Sequence, residues 1–163
     1  MEATRISNTE YHISSVKFAQ PNTKESEKVL VKYLKRNKID TIINVSDYKT
    51  SPYTISLYKK NGVKNLLTYT FPDKFLEWDE YRYFVNILQE IHLNLTKTEH
   101  KNVLVHCTAG INRSAMTIAY LLKKTTTKNT DEIIKQIRKS NRDGRGIVAL
   151  TNPTFETLLI SYI

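Results

Sequence analysis

The hydrophobic and polar positions of the chain follow two alternating periodicities, and this alternation predicts an α/β fold. Apolar residues recur every three or four positions in several segments, which predicts helices over residues 25–38, 53–61, 79–95, 113–124, 130–141 and 153–163. Short β-branched and apolar runs predict one or two strands over residues 6–14 and single strands over 41–45, 63–70 and 103–105. Because helices separate the strands, we expect one domain over residues 1–163, with a central, mainly parallel sheet of four to five strands and helices on both faces.

Two of the predicted helices have apolar stripes that define an expected buried face. The stripe of the first helix consists of Val29, Leu30, Tyr33 and Leu34. That of the helix over 79–95 consists of Tyr83, Phe84, Ile87, Leu88 and Ile91. Asn152 followed by Pro153 predicts the start of the last helix, because a capping side chain precedes a proline at the first helical position.

One segment between a predicted strand and a predicted helix carries reactive side chains. It runs from His106 to Ser114 and contains Cys107, the only cysteine of the chain, with Arg113 six residues later. A tight loop before a helix directs its backbone N–H groups at one point and forms an anion site. A thiol in that site ionises easily, because the N–H donors and the arginine stabilise negative charge. The segment therefore predicts a loop that binds a phosphate-like dianion around a thiolate.

This arrangement predicts nucleophilic phosphoryl transfer. Cys107 is expected to attack phosphorus and form a phosphocysteine intermediate. Arg113 is expected to hold two phosphate oxygens with its planar guanidinium, and Ser114 to hydrogen-bond the thiolate and ease its departure. His106 is expected to orient the loop by hydrogen bonding, and Gly110 suits a loop position with positive φ. The expected phosphate-binding residues are Thr108, Ala109, Gly110, Ile111, Asn112 and Arg113.

The same residues resemble the HC-x5-R-[ST] signature of cysteine-dependent protein phosphatases. The small size and the run Asn112-Arg113-Ser114 are most similar to the dual-specificity group, especially its compact poxvirus-type members. The resemblance extends from about Ile6 to Tyr162. It implies a protein tyrosine phosphatase-like fold and hydrolysis of phosphotyrosine and phosphoserine/threonine in proteins.

The resemblance also implies a general acid on the loop that follows the strand over 63–70. Asp73 follows that strand directly and is the expected acid. Asp79 is the alternative, although it is better explained as an N-cap of the next helix. Farther along, Arg142 and Arg145 are either a secondary anion site beside the loop or a solvated helix end with a glycine turn.

Composition narrows the functional classes. The net charge of +9 favours anionic partners. A single cysteine forms no internal disulfide, which favours a reducing, cytoplasmic compartment. The sequence has no metal-ligand spacing, so neither a metal nor another cofactor is predicted. No apolar run reaches the length of a membrane span and no secretory signal is visible, and a monomer is expected.

Two alternatives stay open at this point. Some members of the same superfamily carry HCTHGxNRTG loops and act as RNA 5′-triphosphatases, with the RNA 5′ end as substrate. The residues that this chain shares with that pattern are Thr108, Gly110, Ile111, Asn112 and Arg113. It departs from the pattern at Ala109, Ser114 and Ala115. The second alternative is a catalytically inactive phosphopeptide-binding module, which the intact cysteine and arginine disfavour.

Overall fold

A computed structural model describes residues 3–163, which form an α/β arrangement around one five-stranded sheet. Residues 1 and 2, the start of the domain predicted over 1–163, lie outside the described part. The strand order is β1-β2-β5-β3-β4; β1 is antiparallel to β2, and the other neighbours are parallel. This sheet confirms the predicted fold class. The strands are β1 Ala3–Arg5, β2 Tyr11–Ser15, β3 Thr41–Asn44, β4 Asn65–Thr68 and β5 Val103–Cys107.

Helices cover both faces of the sheet. The described residues form α1 Val16–Ala19, α2 Lys24–Arg36, α3 Pro52–Lys60, α4 Tyr81–Thr96, α5 Arg113–Thr125, α6 Thr130–Arg145 and α7 Pro153–Ser161. The first three helices supply Phe18, Leu30, Leu34 and Tyr58 to a small apolar cluster on one face. The last four helices build the larger cluster on the other face. Burial of both faces explains why β3 and β5 contain consecutive apolar residues, Ile42-Ile43 and Val103-Leu104-Val105.

The central strand β5 determines where the reactive cysteine lies. Its side chains alternate between the two faces, so that Leu104 joins the small cluster and Val105 the large one. In the parallel register, His106 lies opposite Asn44 of β3, and Cys107 lies opposite Ser15 of β2. The carboxyl ends of three strands therefore meet at one edge, which is where open α/β sheets bind ligands.

Several predicted boundaries differ from those of the structure, most clearly at residues 6–14 and at the end of α6. Within residues 6–14 only the last part is a strand, because the chain turns at Asn8, whose φ is 61°, before β2 begins. The strand β1 was missed, since its three residues show no apolar alternation. Helix α6 continues past residue 141 to Arg145. Gly144 lies inside this helix because a Cβ there would come within 2.0 Å of the Thr4 hydroxyl oxygen in β1.

The predicted stripes were correct in their centres and wrong at their edges. Leu30 and Leu34 are fully buried, as predicted, but Val29 is 55% exposed. In α4, Phe84, Leu88 and Ile91 are buried, whereas Tyr83 is 61% exposed. Among the described residues, its ring has one aromatic contact, a T-shaped one with Phe84. The apolar stripes are thus narrower than the sequence suggests, since the buried residues are only Leu30 and Leu34 in α2 and one row from Tyr81 to Leu95 in α4.

Two histidines of neighbouring strands are buried in the sheet. His12 of β2 lies 2.7 Å from the Tyr33 hydroxyl through Nδ1 and is 1% exposed, and His106 of β5 is fully buried. Burial lowers the pKa of each ring to about 4. Both rings are therefore neutral at pH 7.

This burial predicts a loss of stability in mild acid. The pKa values are depressed in the folded state, so the unfolded chain binds more protons as the pH falls from about 6.5 toward 4. Each histidine should reduce the free energy of unfolding by about 3 kcal/mol over that range. Urea unfolding at pH 7 and at pH 4.5 measures the difference. His12→Gln should make the pH dependence shallower than that of the wild type, because it removes one of the two buried rings; equal slopes in the two proteins contradict the prediction.

Candidate active site

The loop between β5 and α5 wraps around Cys107. The Cys107 Sγ atom lies 3.2 Å from the Ser114 hydroxyl oxygen and accepts a hydrogen bond from the Gly110 N–H at 3.3 Å. Gly110 has a φ of 70°, as the sequence predicts. A Cβ there would also lie 2.7 Å from the backbone of Ser14. Glycine is thus required both by the conformation and by the close approach of β2.

Four consecutive carbonyls of this loop accept hydrogen bonds from outside it. The Thr108 carbonyl accepts from Val16 N–H at 3.1 Å, and the Ile111 carbonyl accepts from Leu150 N–H at 2.9 Å. Between them, the carbonyls of Ala109 and Gly110 accept from the Arg145 guanidinium at 2.9 and 2.6 Å. Because the C=O and N–H of a peptide unit point in opposite directions, outward carbonyls leave the N–H groups facing inward. Of these groups, the Gly110 N–H donates to Cys107 Sγ, and such an arrangement has the geometry of a nest that can bind an oxyanion.

Arg145 therefore has a different place from the two that the sequence suggested. The predicted glycine turn does end α6, since Gly146 has a φ of 70°. Arg145 itself is not a solvated helix end, because its guanidinium contacts the loop backbone and the Asn141 side-chain oxygen at 3.0 Å. Arg142, by contrast, is exposed. The signal for Arg145 was present in the arginine-rich end of α6, but its partner could be identified only from the packing of that helix.

Arg113 joins three loops at the start of α5. Its Nη1 donates to the Asp47 carboxylate at 3.1 Å and to the Phe71 carbonyl at 2.9 Å, and its Nη2 donates to the Thr108 hydroxyl at 2.9 Å. The side chain is only 6% exposed, and its Nε has no hydrogen-bond partner among the described residues. Asp47, which sequence reasoning missed, is 60% exposed, so this ion pair adds little to stability and mainly orients the guanidinium.

The Asp73 carboxylate is hydrogen-bonded to the loop between β5 and α5 through the side chain of Asn112. Its Oδ2 accepts from the Asn112 amide at 2.9 Å, and its Oδ1 accepts from the Asn152 amide at 3.0 Å. Asp79 is not the N-cap of α4, contrary to the prediction, because that position is held by Glu80. The Glu80 carboxylate instead accepts from the Glu77 N–H, which organises the turn that precedes the helix.

His106 lies directly behind the loop. Neither ring nitrogen meets a partner with hydrogen-bond geometry among residues 3–163, so the predicted orienting bond is not formed. Burial dominates its lowered pKa, and an interaction with the Cys107 backbone offsets only part of the shift. The neutral ring therefore acts here as packing beneath the loop.

Two negative findings apply to the part of the chain that the structure describes. No group of three or more His, Cys, Asp or Glu side chains there is arranged to hold a metal ion. None of its helices is both long enough and apolar enough to span a membrane.

The fold and this site define a cysteine-dependent phosphatase domain, and comparison with known proteins specifies the family. The dual specificity phosphatase catalytic domain family matches residues 22–162. The chain belongs to this family, whose members are phosphoric monoester hydrolases.

Individual relatives agree with this assignment. The dual specificity protein phosphatases OPG106 of vaccinia virus (strain Copenhagen) and of monkeypox virus are each 41% identical over 69 residues, which span 40% of this chain and 40% of theirs. The crystal structure of human DUSP28 has a TM-score of 0.66 at 17% identity, covering 98% of this chain and 90% of that one. PTP-2 phosphatase of Cydia pomonella has a TM-score of 0.61 at 20% identity, covering 97% and 88%. The two structures are similar to this chain in fold.

The contacts of Arg145 predict that it supports oxyanion binding from outside the nest. Arg145→Leu removes the charged donors to two loop carbonyls, and hydrogen bonds to charged groups contribute about 1.5–3 kcal/mol. We therefore expect its affinity for tungstate to fall by at least about tenfold, as measured by isothermal titration calorimetry.

Arg142→Leu is the matched control, since it removes an exposed arginine from the same helix and should bind tungstate like the wild type. Arg145→Lys keeps the charge without the planar fork and should give an intermediate affinity. Wild-type affinity in a folded Arg145→Leu protein would show that the loop does not depend on this residue.

Proposed function

We propose that the protein hydrolyses phosphotyrosine and phosphoserine/threonine in proteins through a phosphocysteine intermediate. One observation carries this proposal: four consecutive carbonyls of the loop accept hydrogen bonds from outside it. This arrangement turns the N–H side of the loop toward the Cys107 thiol. Such a nest binds the three non-bridging oxygens of a phosphoryl group and stabilises the thiolate beneath it.

In the first step, the Cys107 thiolate attacks phosphorus opposite the leaving oxygen, forming an S–P bond as the P–O bond breaks. Arg113 and the loop N–H groups hold the equatorial oxygens, where negative charge is stabilised in the transition state. The buried Arg113 Nε, which has no partner among the described residues, is a suitable donor to one of those oxygens. Asp73 donates its proton to the leaving oxygen, so that the product departs as a neutral alcohol or phenol.

In the second step, water attacks the phosphocysteine and the S–P bond breaks. The Asp73 carboxylate accepts the proton of the attacking water, the reverse of its first role. The Ser114 hydroxyl, 3.2 Å from Sγ, donates to the departing thiolate. Inorganic phosphate then leaves the nest, and the enzyme returns to its starting state.

The alternative substrate, a triphosphate-ended RNA, receives less support. The superfamily members with that activity tend to lack the upstream acid, whereas Asp73 here is hydrogen-bonded to Asn112 of the phosphate loop. A phosphoprotein substrate makes use of this carboxyl, since serine and tyrosine oxygens are poor leaving groups without a proton. Parallel assays on a phosphopeptide and on triphosphate-ended RNA separate the two activities.

The remaining expectations about the cellular setting follow from the nucleophile. A thiolate that must stay reduced works best in a reducing compartment, so we place the activity in the cytoplasm. The partners that we propose are phosphoproteins, bound by a monomer. A positively charged chain favours such anionic substrates at first encounter.

Replacement of the nucleophile provides the first test. Cys107→Ser should abolish turnover of a phosphopeptide yet retain its binding, because the nest and Arg113 stay in place. Arg113→Lys should also reduce kcat strongly, since one ammonium cannot bind two oxygens in a fork. Steady-state kinetics and peptide titration measure both effects. Substantial turnover by pure Cys107→Ser protein would exclude the phosphocysteine route.

Replacement of the acid provides the second test. Asp73→Asn should lower kcat on a phosphopeptide by about 10²-fold or more, the usual contribution of general acid–base catalysis, and should flatten the alkaline limb of the pH–rate profile. Asp79→Asn is the control on the same loop and should change kcat little. The opposite ranking of the two variants would show that Asp79 is the acid.

A further inference from the structure

We propose that Asn112 and Asn152 are positioning residues that hold the Asp73 carboxyl in place beside the phosphate loop. We call this pair the asparagine clamp. The inference deepens the proposed function and rests on it, because it concerns the residue to which that function assigns the proton transfer. Its basis is a set of hydrogen bonds that joins three segments of the chain distant in sequence.

The clamp holds both oxygens of one carboxylate from two sides. Asn112, in the phosphate loop, donates to Oδ2 of Asp73, and Asn152, at the start of α7, donates to Oδ1. A carboxyl held at both oxygens cannot rotate without breaking a bond. Its position relative to Cys107 is therefore tied to the loop that binds the phosphate.

The amide of Asn112 can be oriented in only one way. Its Oδ1 accepts from the Asn152 N–H at 3.0 Å and from the Thr151 hydroxyl at 3.3 Å, so its NH₂ group must be the side that faces Asp73. Asn112 also occupies the N-cap position of α5 but makes no capping bond there. Its side chain is thus committed to the contact with Asp73 and the segment before α7.

Helix capping accounts for only half of the Asn152 side chain. Its Oδ1 accepts from the Thr154 N–H at 3.0 Å and from the Thr154 hydroxyl at 2.7 Å, which is the capping role that the sequence predicts. Its NH₂ group donates to the Lys74 carbonyl at 2.7 Å and to Asp73. Aspartate or serine would cap the helix as well as asparagine does, but neither supplies these two donors.

Neutral amide donors suit a residue that must gain and lose a proton. A protonated carboxyl keeps lone pairs that accept from the amides, so the clamp can hold Asp73 in both of its states. A lysine or arginine in the same place would strongly favour the ionised form and hinder proton donation. The clamp therefore fixes the position of the carboxyl without adding a full charge beside it.

The clamp can be tested by how kcat/KM depends on the leaving group. A purely structural role of the two asparagines would lower kcat/KM equally for all leaving groups. Asn152→Ser keeps a capping oxygen and removes the donors. We expect its kcat/KM to fall by about tenfold or more on phenyl phosphate, whose leaving group needs a proton. On 2,4-dinitrophenyl phosphate, which needs none, the change should be less than about twofold. Asn152→Asp should lose at least as much on phenyl phosphate, and Asn112→Ser should show the same selectivity.

The matched control is Asn129→Asp, at the N-cap of α6. Asn129 caps its helix by accepting from the Glu132 N–H and does not contact Asp73. This variant changes the same functional group at the same type of position, so both kcat/KM values should equal those of the wild type. Equal losses on the two esters in a folded Asn152→Ser protein would overturn the clamp, because they would indicate damage to the phosphate loop instead.

An NMR measurement tests the contact without reference to turnover. The side-chain amide resonances of Asn112 and Asn152 should shift in Asp73→Ala and stay in place in Asp79→Ala. That response supports the clamp even if the wild-type protein hydrolyses no ester, in which case only the proposed function fails. If the side-chain amide resonances of Asn112 and Asn152 do not shift in Asp73→Ala, the clamp is overturned, whatever the activity of the protein.

Discussion

The conformation of the loop between β5 and α5 depends on the hydrogen bonds that its carbonyl groups accept. A buried C=O without a partner is costly, so a chain keeps its carbonyls in contact with water or with donors. Here the donors are the N–H groups of Val16 and Leu150 and the guanidinium of Arg145, all outside the loop. They hold four consecutive carbonyls outward, which leaves the opposite, N–H side of the loop facing inward, and the Gly110 N–H on that side donates to Cys107 Sγ.

This requirement explains why so much of the fold serves one short loop. The three sources of donors are the start of α1, the end of α6 and the segment before α7, so helices from both faces of the sheet contribute. Helix α6, which presents Arg145 to the loop, approaches β1 closely at Gly144. The arginine at the start of α5 adds a second set of ties, to the loops that follow β3 and β4. The site is therefore a product of the whole sheet edge.

Much of this could be predicted from the sequence where the signals are local. The spacing of Cys107 and Arg113 between a strand and a helix identified the loop, and Asn152 before Pro153 identified the start of α7. The contacts of Arg145 and Asp47 could not be predicted, since they depend on how distant elements pack. The second role of Asn152 was hidden for a related reason: capping already explained the residue, and its partner lies on another loop. The strand β1 is too short to show a periodicity.

The loop of residues 71–80 contains, besides Asp73, the only tryptophan of the chain, Trp78, which is 84% exposed. Ten tyrosines also fluoresce, but excitation at the red edge of the absorption band selects indole alone. Under that excitation, the intrinsic emission of this protein comes from the loop of residues 71–80 and from no other part of the molecule. The chain thus carries its own site-specific optical label, and the environment of this loop can be followed in real time without any chemical modification.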